Sequence, residues 1–134
     1  MTTRIGVDTN VLLRLFVTDD SVQFEASKKF FAASSKGQAI FVNQLVLVEF
    51  AWTLRSRYRL SADQILDVIE QISQRADVEI ENAALVGSAL DMAREGVGFS
   101  DALIAARNTH HGCENTVTFD KRAAKVIPSM KLLS

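Results

Sequence analysis

Arg4-Ile5-Gly6-Val7-Asp8-Thr9-Asn10-Val11-Leu12-Leu13-Arg14 is the stretch whose reading decides the fold. Arg4 to Val7 reads as a short buried strand that stops at Asp8, and Val11, Leu12, Leu13, Leu15 and Phe16 fit the start of a helix. A carboxylate therefore stands at the carboxyl end of a strand. Downstream, Asp19-Asp20-Ser21 signals a second helix through Val22, Phe24, Ala26, Phe30 and Phe31, ending near Gly37 with Lys36 in its last turn. Ala39 to Val42 is the next strand candidate. From Gln44 to about Tyr58, Leu45, Val48 and Trp52 recur with a 3.6 period, which predicts an inward stripe that carries Glu49 with it.

The alternation continues to the end of the chain. Ser61 is suited to cap a helix over residues 62–75, and Val78-Glu79-Ile80 alternates as a strand does. Asn82 opens a helix that stops at Gly96, and Ser100 is the expected N-cap of another from Asp101 to about His111. Residues 115–119 read as a strand running into Asp120, residues 121–126 as a short helix, and residues 130–133 as a last strand. Strands alternating with helices predict an α/β fold: a three-layer α/β/α domain with a mostly parallel central sheet of four to five strands.

Length fits one domain over residues 1–134, since 134 residues with 48% apolar content can bury one core. No stretch is Ser-, Gln- or Pro-rich, no internal repeat is visible, and the longest apolar run, Leu45 to Trp52, is broken by Glu49 and too short to span a bilayer. With no signal-peptide pattern and a single cysteine, Cys113, the chain is expected to be soluble and cytoplasmic, with no membrane partner. The net charge of −1 gives no global reason to expect nucleic acid. Setting four of the 16 acidic residues aside as a metal site leaves 12 against 15 basic ones, a remainder compatible with a phosphate-rich substrate. Arg55, Arg57 and Arg59 form one basic group and Lys121, Arg122 and Lys125 another, although solvated helix faces account for either alone.

Open α/β sheets bind ligands beyond the carboxyl ends of their strands, and two candidate strands end at an aspartate, Asp8 and Asp120. Asp101, in a helix's first turn, and Glu49 can reach that edge from two other elements. Four oxygen donors without His or Cys suit a hard cation, Mg²⁺ or Mn²⁺. Each also has a plainer reading: Asp8, Asp101 and Asp120 can cap helices, and Glu49 can pair with a distant cation. His110 and His111, being adjacent, are expected to point apart, and Trp52, Phe30 and Phe31 read as core residues on helical stripes. Glycines are too scattered for a phosphate-cradling loop, and no Ser-His-Asp or Cys-His set stands out.

The segment from Ile5 to Arg14, with Asp8-Thr9-Asn10 at its centre, resembles the opening motif of PIN domains, most closely those of VapC-type toxins. Glu49 in Leu47-Val-Glu-Phe-Ala-Trp52 resembles the family's second acid, Asp101 in Ser100-Asp101-Ala102 its third, and Asp120 in Thr116-Val-Thr118-Phe-Asp120-Lys121 its fourth. The resemblance spans nearly the whole chain. It implies a PIN-like fold, a Mg²⁺- or Mn²⁺-dependent endoribonuclease acting on RNA, and a homodimer inhibited by a cognate antitoxin. It further implies that Thr9, Asn10 and Thr118 orient the carboxylates and the metal's waters. Among rivals, a phospho-acceptor signalling domain needs an acidic pair after the first strand and an acceptor Asp ending the third, and this chain has Asp8-Thr9-Asn10 and no such Asp. Haloacid-type phosphatases want Asp-x-Asp where Asn10 stands. A catalytically silent binding module of the same fold would be marked by a lost acid, and all four are present.

Overall fold

The computed structural model describes residues 3–33 and 37–133. Three strands, β1 (Thr3–Gly6), β2 (Gln38–Val42) and β3 (Val78–Ile80), form one sheet in the order β1-β2-β3. Both pairings are parallel: Ile5 stands opposite Ile40, and Ile40 opposite Val78. β4 (Thr116–Thr118) and β5 (Met130–Leu132) pair in parallel as a second, two-stranded sheet. The expected α/β class and parallel pairing hold, but hydrogen bonding divides the five strands into three and two rather than joining them in one central sheet. β3, β4 and β5 are only three residues each, so few ladder bonds are available to extend either sheet.

Helices make up the rest: α1 (Thr9–Leu13), α2 (Ser21–Ala32), α3 (Gln44–Ser56), α4 (Ala62–Ser73), α5 (Ala83–Ala93), α6 (Phe99–His110) and α7 (Lys121–Val126). Their starts are chemically marked. Asp8, Asp20, Asn43, Ser61, Asn82 and Asp120 each accept a backbone N–H at the first turn, and Ser61 with Gln64 closes a reciprocal capping box. α6 departs from expectation. Its N-cap is Gly98, without a side-chain bond, and Ser100 lies inside the helix. Val97 and Phe99 are both buried, and packing at this turn draws the helix start two residues earlier than the Ser100 signal. α2 ends at Ala32, short of the expected stop near Gly37, and Lys36, expected in its last turn, lies outside the described residues.

The largest correction concerns α3. Its buried face is Val46, Leu47, Phe50, Ala51 and Leu54, whereas Leu45 is 78% and Trp52 68% exposed, and Glu49 is exposed with them. Of the stripe expected to point inward, Leu45 and Trp52 point out, while Val48 is half-buried against the core. Nearly every residue from Leu45 to Trp52 is apolar, so two helical faces satisfy the same period and only tertiary packing chooses between them. Phe50, fully buried, meets Phe16 edge to face at 5.7 Å, and Leu47 packs in the same cluster as Leu12, Leu13 and Leu54. That choice fixes α3 against α1 and leaves Glu49 on the open side. His110 and His111 also depart from expectation: their rings meet at 5.5 Å in a T-shaped contact.

At the other end of α1, Arg14 is buried and donates to Gln23 at 2.8 Å, to Asp19 and to Tyr58. Tyr58 completes the ring by donating to Asp19 at 2.7 Å. One side chain thus ties the segments before α2 and after α3 to α1. The inversion of α3 has a direct check by chemical denaturation. Phe50→Ala is expected to destabilise by about 3–5 kcal/mol, the usual cost of deleting a core aromatic ring. Leu45→Ala, on the face first read as core, is expected to change stability by less than about 0.5 kcal/mol.

Candidate functional site

Asp8 follows β1 and Asp120 follows β4, so both leave the carboxyl end of a strand and enter a helix. Each is an N-cap: Asp8 Oδ1 accepts the Thr9 N–H at 2.7 Å, and Asp120 Oδ1 accepts the Ala123 N–H at 2.9 Å. Capping and ligation were alternatives in the sequence, yet a cap uses one carboxylate oxygen and leaves the other. Thr118 accepts the Asp120 N–H through its hydroxyl at 3.0 Å, which holds the turn from which Asp120 projects.

Glu49 is not a buried partner of a distant cation. Its Oε1 accepts the hydroxyl proton of Thr9 at 2.7 Å, and Thr9 is itself buried. The bond spans 40 residues and joins the acid after β1 to the acid of α3 through a single threonine. The Asn10 side chain is exposed and has no hydrogen-bond partner among the described residues, so it stands beside the acids without being held to them.

Asp101 lies in the first turn of α6 and is half-buried. Partial burial, and next the negative charge of Asp120, hold its carboxyl above the usual aspartate range. The Asp120 effect places those two carboxylates within electrostatic reach of each other. A side-chain carbon added at Gly98 would lie 3.6 Å from Asp101 Oδ2, an ordinary van der Waals contact, so the two residues are close neighbours. α3 and α6 run side by side in opposite directions: Gln44 at the start of α3 accepts from Arg107 near the end of α6, while Trp52 shares a cleft with Phe99 and Ser100. Glu49 lies on the first of these helices and Asp101 on the second.

The four acids therefore stand as two linked pairs, Asp8 with Glu49 through Thr9 and Asp101 with Asp120 through charge. Among the described residues no group of three or more acidic, histidine or cysteine side chains forms a ready-made metal cage. An all-oxygen, half-open donor set matches the preference of Mg²⁺, which keeps several waters and takes only one or two carboxylates besides substrate phosphate. Sequence reasoning missed a neighbouring polar knot. Glu81, just past β3, accepts the Gln44 N–H at 2.9 Å and faces Arg107 at 3.8 Å, while Gln44 donates to the Glu81 carbonyl at 3.0 Å. A glutamate directly after a predicted strand was a visible signal of the same kind as Asp8. A cavity of about 620 Å³ between α5, α6 and residues 127–129 is lined by no acidic residue.

Comparison with known proteins gives three findings. A family model described as PIN domain matches residues 5–127. A VapC ribonuclease from Aquifex aeolicus (strain VF5) is 27% identical over 122 residues, 90% of each chain. The crystal structure of Mycobacterium tuberculosis VapC20, titled a sarcin-ricin loop cleaving toxin, gives a TM-score of 0.46 at 20% identity, covering 93% of this chain and 97% of that one.

The raised proton affinity of Asp101 makes a stability prediction. The folded protein holds that proton more tightly than the unfolded chain, so ionising Asp101 weakens the fold once pH exceeds its folded pKa. The penalty vanishes as pH falls below the unfolded value of about 3.9, where both states are protonated. Metal-free Asp101→Asn protein should therefore melt higher than wild type at pH 7, and the difference should close in melts carried down to about pH 3.5. A lower melting temperature for the variant at pH 7 would contradict this account of the site.

Proposed function

The chain belongs to the PIN-domain family, and on that premise we propose that it is a metal-dependent endoribonuclease whose site is Asp8, Glu49, Asp101 and Asp120. The observation that carries this reading is the half-engaged state of the carboxylates. Asp8, Glu49 and Asp120 are each fixed to the protein through one oxygen, and their second oxygens have no protein partner among the described residues. Those free oxygens are what a cation shared with a substrate phosphate would use.

Asp8, Glu49, Asp101 and Asp120 would hold Mg²⁺ or Mn²⁺, because the donor set is all oxygen. A divalent cation bound there supplies polarisation of a phosphoryl oxygen and a nucleophile at neutral pH. The protein's own part is positioning. Thr9 donates to Glu49 and its N–H holds Asp8, so one residue orients two acids, while Thr118 accepts the Asp120 backbone N–H and so holds the turn that carries Asp120. Asn10 is exposed beside Asp8 and is free to donate to substrate or to water. The reaction is in-line attack of water on an RNA phosphodiester.

The biological reading follows from the same site. We propose a single-domain cytoplasmic toxin of a toxin–antitoxin pair, a homodimer, inhibited by a cognate antitoxin. An inserted arginine, whose guanidinium pairs bidentately with carboxylates, is the natural plug for an acidic cleft. No helix among the described residues is long and apolar enough to cross a membrane.

Cleavage of a structured RNA should require Mg²⁺ or Mn²⁺ and cease in excess EDTA. Asp8→Asn and Asp101→Asn should each abolish it without unfolding the protein. Thr9→Val, which removes only the hydroxyl, should cost roughly 10- to 100-fold in activity or metal affinity. Mn²⁺ should raise the wild-type melting temperature in a concentration-dependent way and that of Asp8→Asn much less. Undiminished cleavage in EDTA would end the metal-nuclease reading.

A further inference from the structure

Beside the acids lies a cleft that the catalytic reading does not use. It has a volume of about 410 Å³ and runs between α3, α4 and the connection from α5 to α6. Its floor is apolar, built from Ala51, Ile65, Leu66, Val97 and Phe99, all buried. Trp52 lines one wall and is 68% exposed, an unusual state for the one tryptophan of the chain. Arg55, one turn further along α3, stands at the mouth. Among the described residues it has no carboxylate partner, and its one hydrogen bond is to the Leu60 carbonyl at 3.2 Å.

Residues on two walls of the cleft neighbour acids of the proposed active site. Glu49 and Trp52 are three residues apart on α3 and therefore neighbours on one helix face. Across from them Gly98 and Ser100 line the cleft, and Gly98 sits against Asp101 Oδ2. Among the described residues a second cation without an acidic partner borders it: Arg122 lies across Gly96, a lining residue, and donates to its carbonyl at 3.2 Å. Gly96, at φ +109°, has no side chain to obstruct the guanidinium. The other charges do not cancel this: Arg94 is held by Asp67 and Glu70, and Asp63 is the only acid lining the cleft.

We propose that this cleft takes an unpaired base of the RNA next to the scissile phosphate, stacked on Trp52, with Arg55 against the adjoining backbone phosphate. Single-stranded RNA is recognised through such platforms: an aromatic face for the base, an apolar slot behind it, and cations that follow the phosphates. The proposal rests on the nuclease reading for its substrate, but the base site can be read without cleavage. It also assigns a role to the outward apolar face of α3, which the core does not require.

Trp52 reports on the site by itself, because its fluorescence is the chain's only tryptophan signal. In EDTA, a short single-stranded RNA should quench it, and an abasic ribose-phosphate chain of equal length should not. With Mn²⁺, Trp52→Ala should raise KM roughly ten-fold with kcat nearly unchanged, and Trp52→Phe should recover most of the loss. Arg55→Gln should lower the salt dependence of binding by about 0.7 in logarithmic slope, one phosphate's share on a single strand. Wild-type protein that is quenched by RNA but never cleaves it would refute the nuclease reading and support the base site. Cleavage with an unchanged KM in Trp52→Ala, or equal quenching by the abasic chain, would overturn the base site and leave the nuclease reading standing. Emission that shifts on dilution without RNA would show Trp52 buried between two copies of the chain, and would also overturn it.

Discussion

Parallel pairing of β1 with β2 and of β2 with β3 is the constraint from which the remaining architecture follows. A parallel neighbour can be reached only by a crossover, so each strand must hand the chain to helices before the next begins. Each strand then releases its chain at the same edge, and whatever residue comes next is delivered there. Asp8 follows β1, Asn43 follows β2 and Glu81 follows β3. Two of these cap the helix that begins beside them, and Glu81 fastens the start of α3 from the neighbouring strand. The polar rim of the sheet is thus a consequence of chain direction, and the candidate chemistry is a specialisation of that rim.

In the proposed function, structural and chemical roles share the same side chains. An aspartate that caps a helix through one oxygen gains a fixed orientation, and orientation is what a metal ligand needs. Asp8 and Asp120 acquire it from helix starts, and Glu49 from the hydroxyl of Thr9. Asp101 is different: it has no capping bond, and its burial beside Asp120 makes its charge costly. A cation would therefore find Asp8, Glu49 and Asp120 already oriented and would relieve the repulsion between Asp101 and Asp120.

Much of this was legible in the sequence wherever local chemistry is decisive. The bounds of β3 and α7 are those expected, and the caps at Asp20, Ser61 and Asn82 follow from residue type. Parallel α/β organisation followed from the alternation of strands and helices, and so did the places of Asp8 and Asp120 just past strands. What escaped depends on contacts between distant segments. The Thr9 to Glu49 bond and the knot of Gln44, Glu81 and Arg107 join residues far apart in the chain, which no local window contains. The orientation of α3 was misread because a helix apolar on two faces has no unique moment. Gly98 displaced Ser100 as the start of α6 because buried Val97 and Phe99 fix that turn.

The central claim is that two pairs of carboxylates, linked separately in the protein, serve one cation. Counting bound Mn²⁺ by electron paramagnetic resonance in wild type, Asp8→Asn and Asp101→Asn, one variant from each pair, tests it most directly. The account predicts a site that is filled in wild type and lost, or greatly weakened, in both variants. Mn²⁺ binding that survives unchanged in either variant would show that the pairs act independently, and would contradict it.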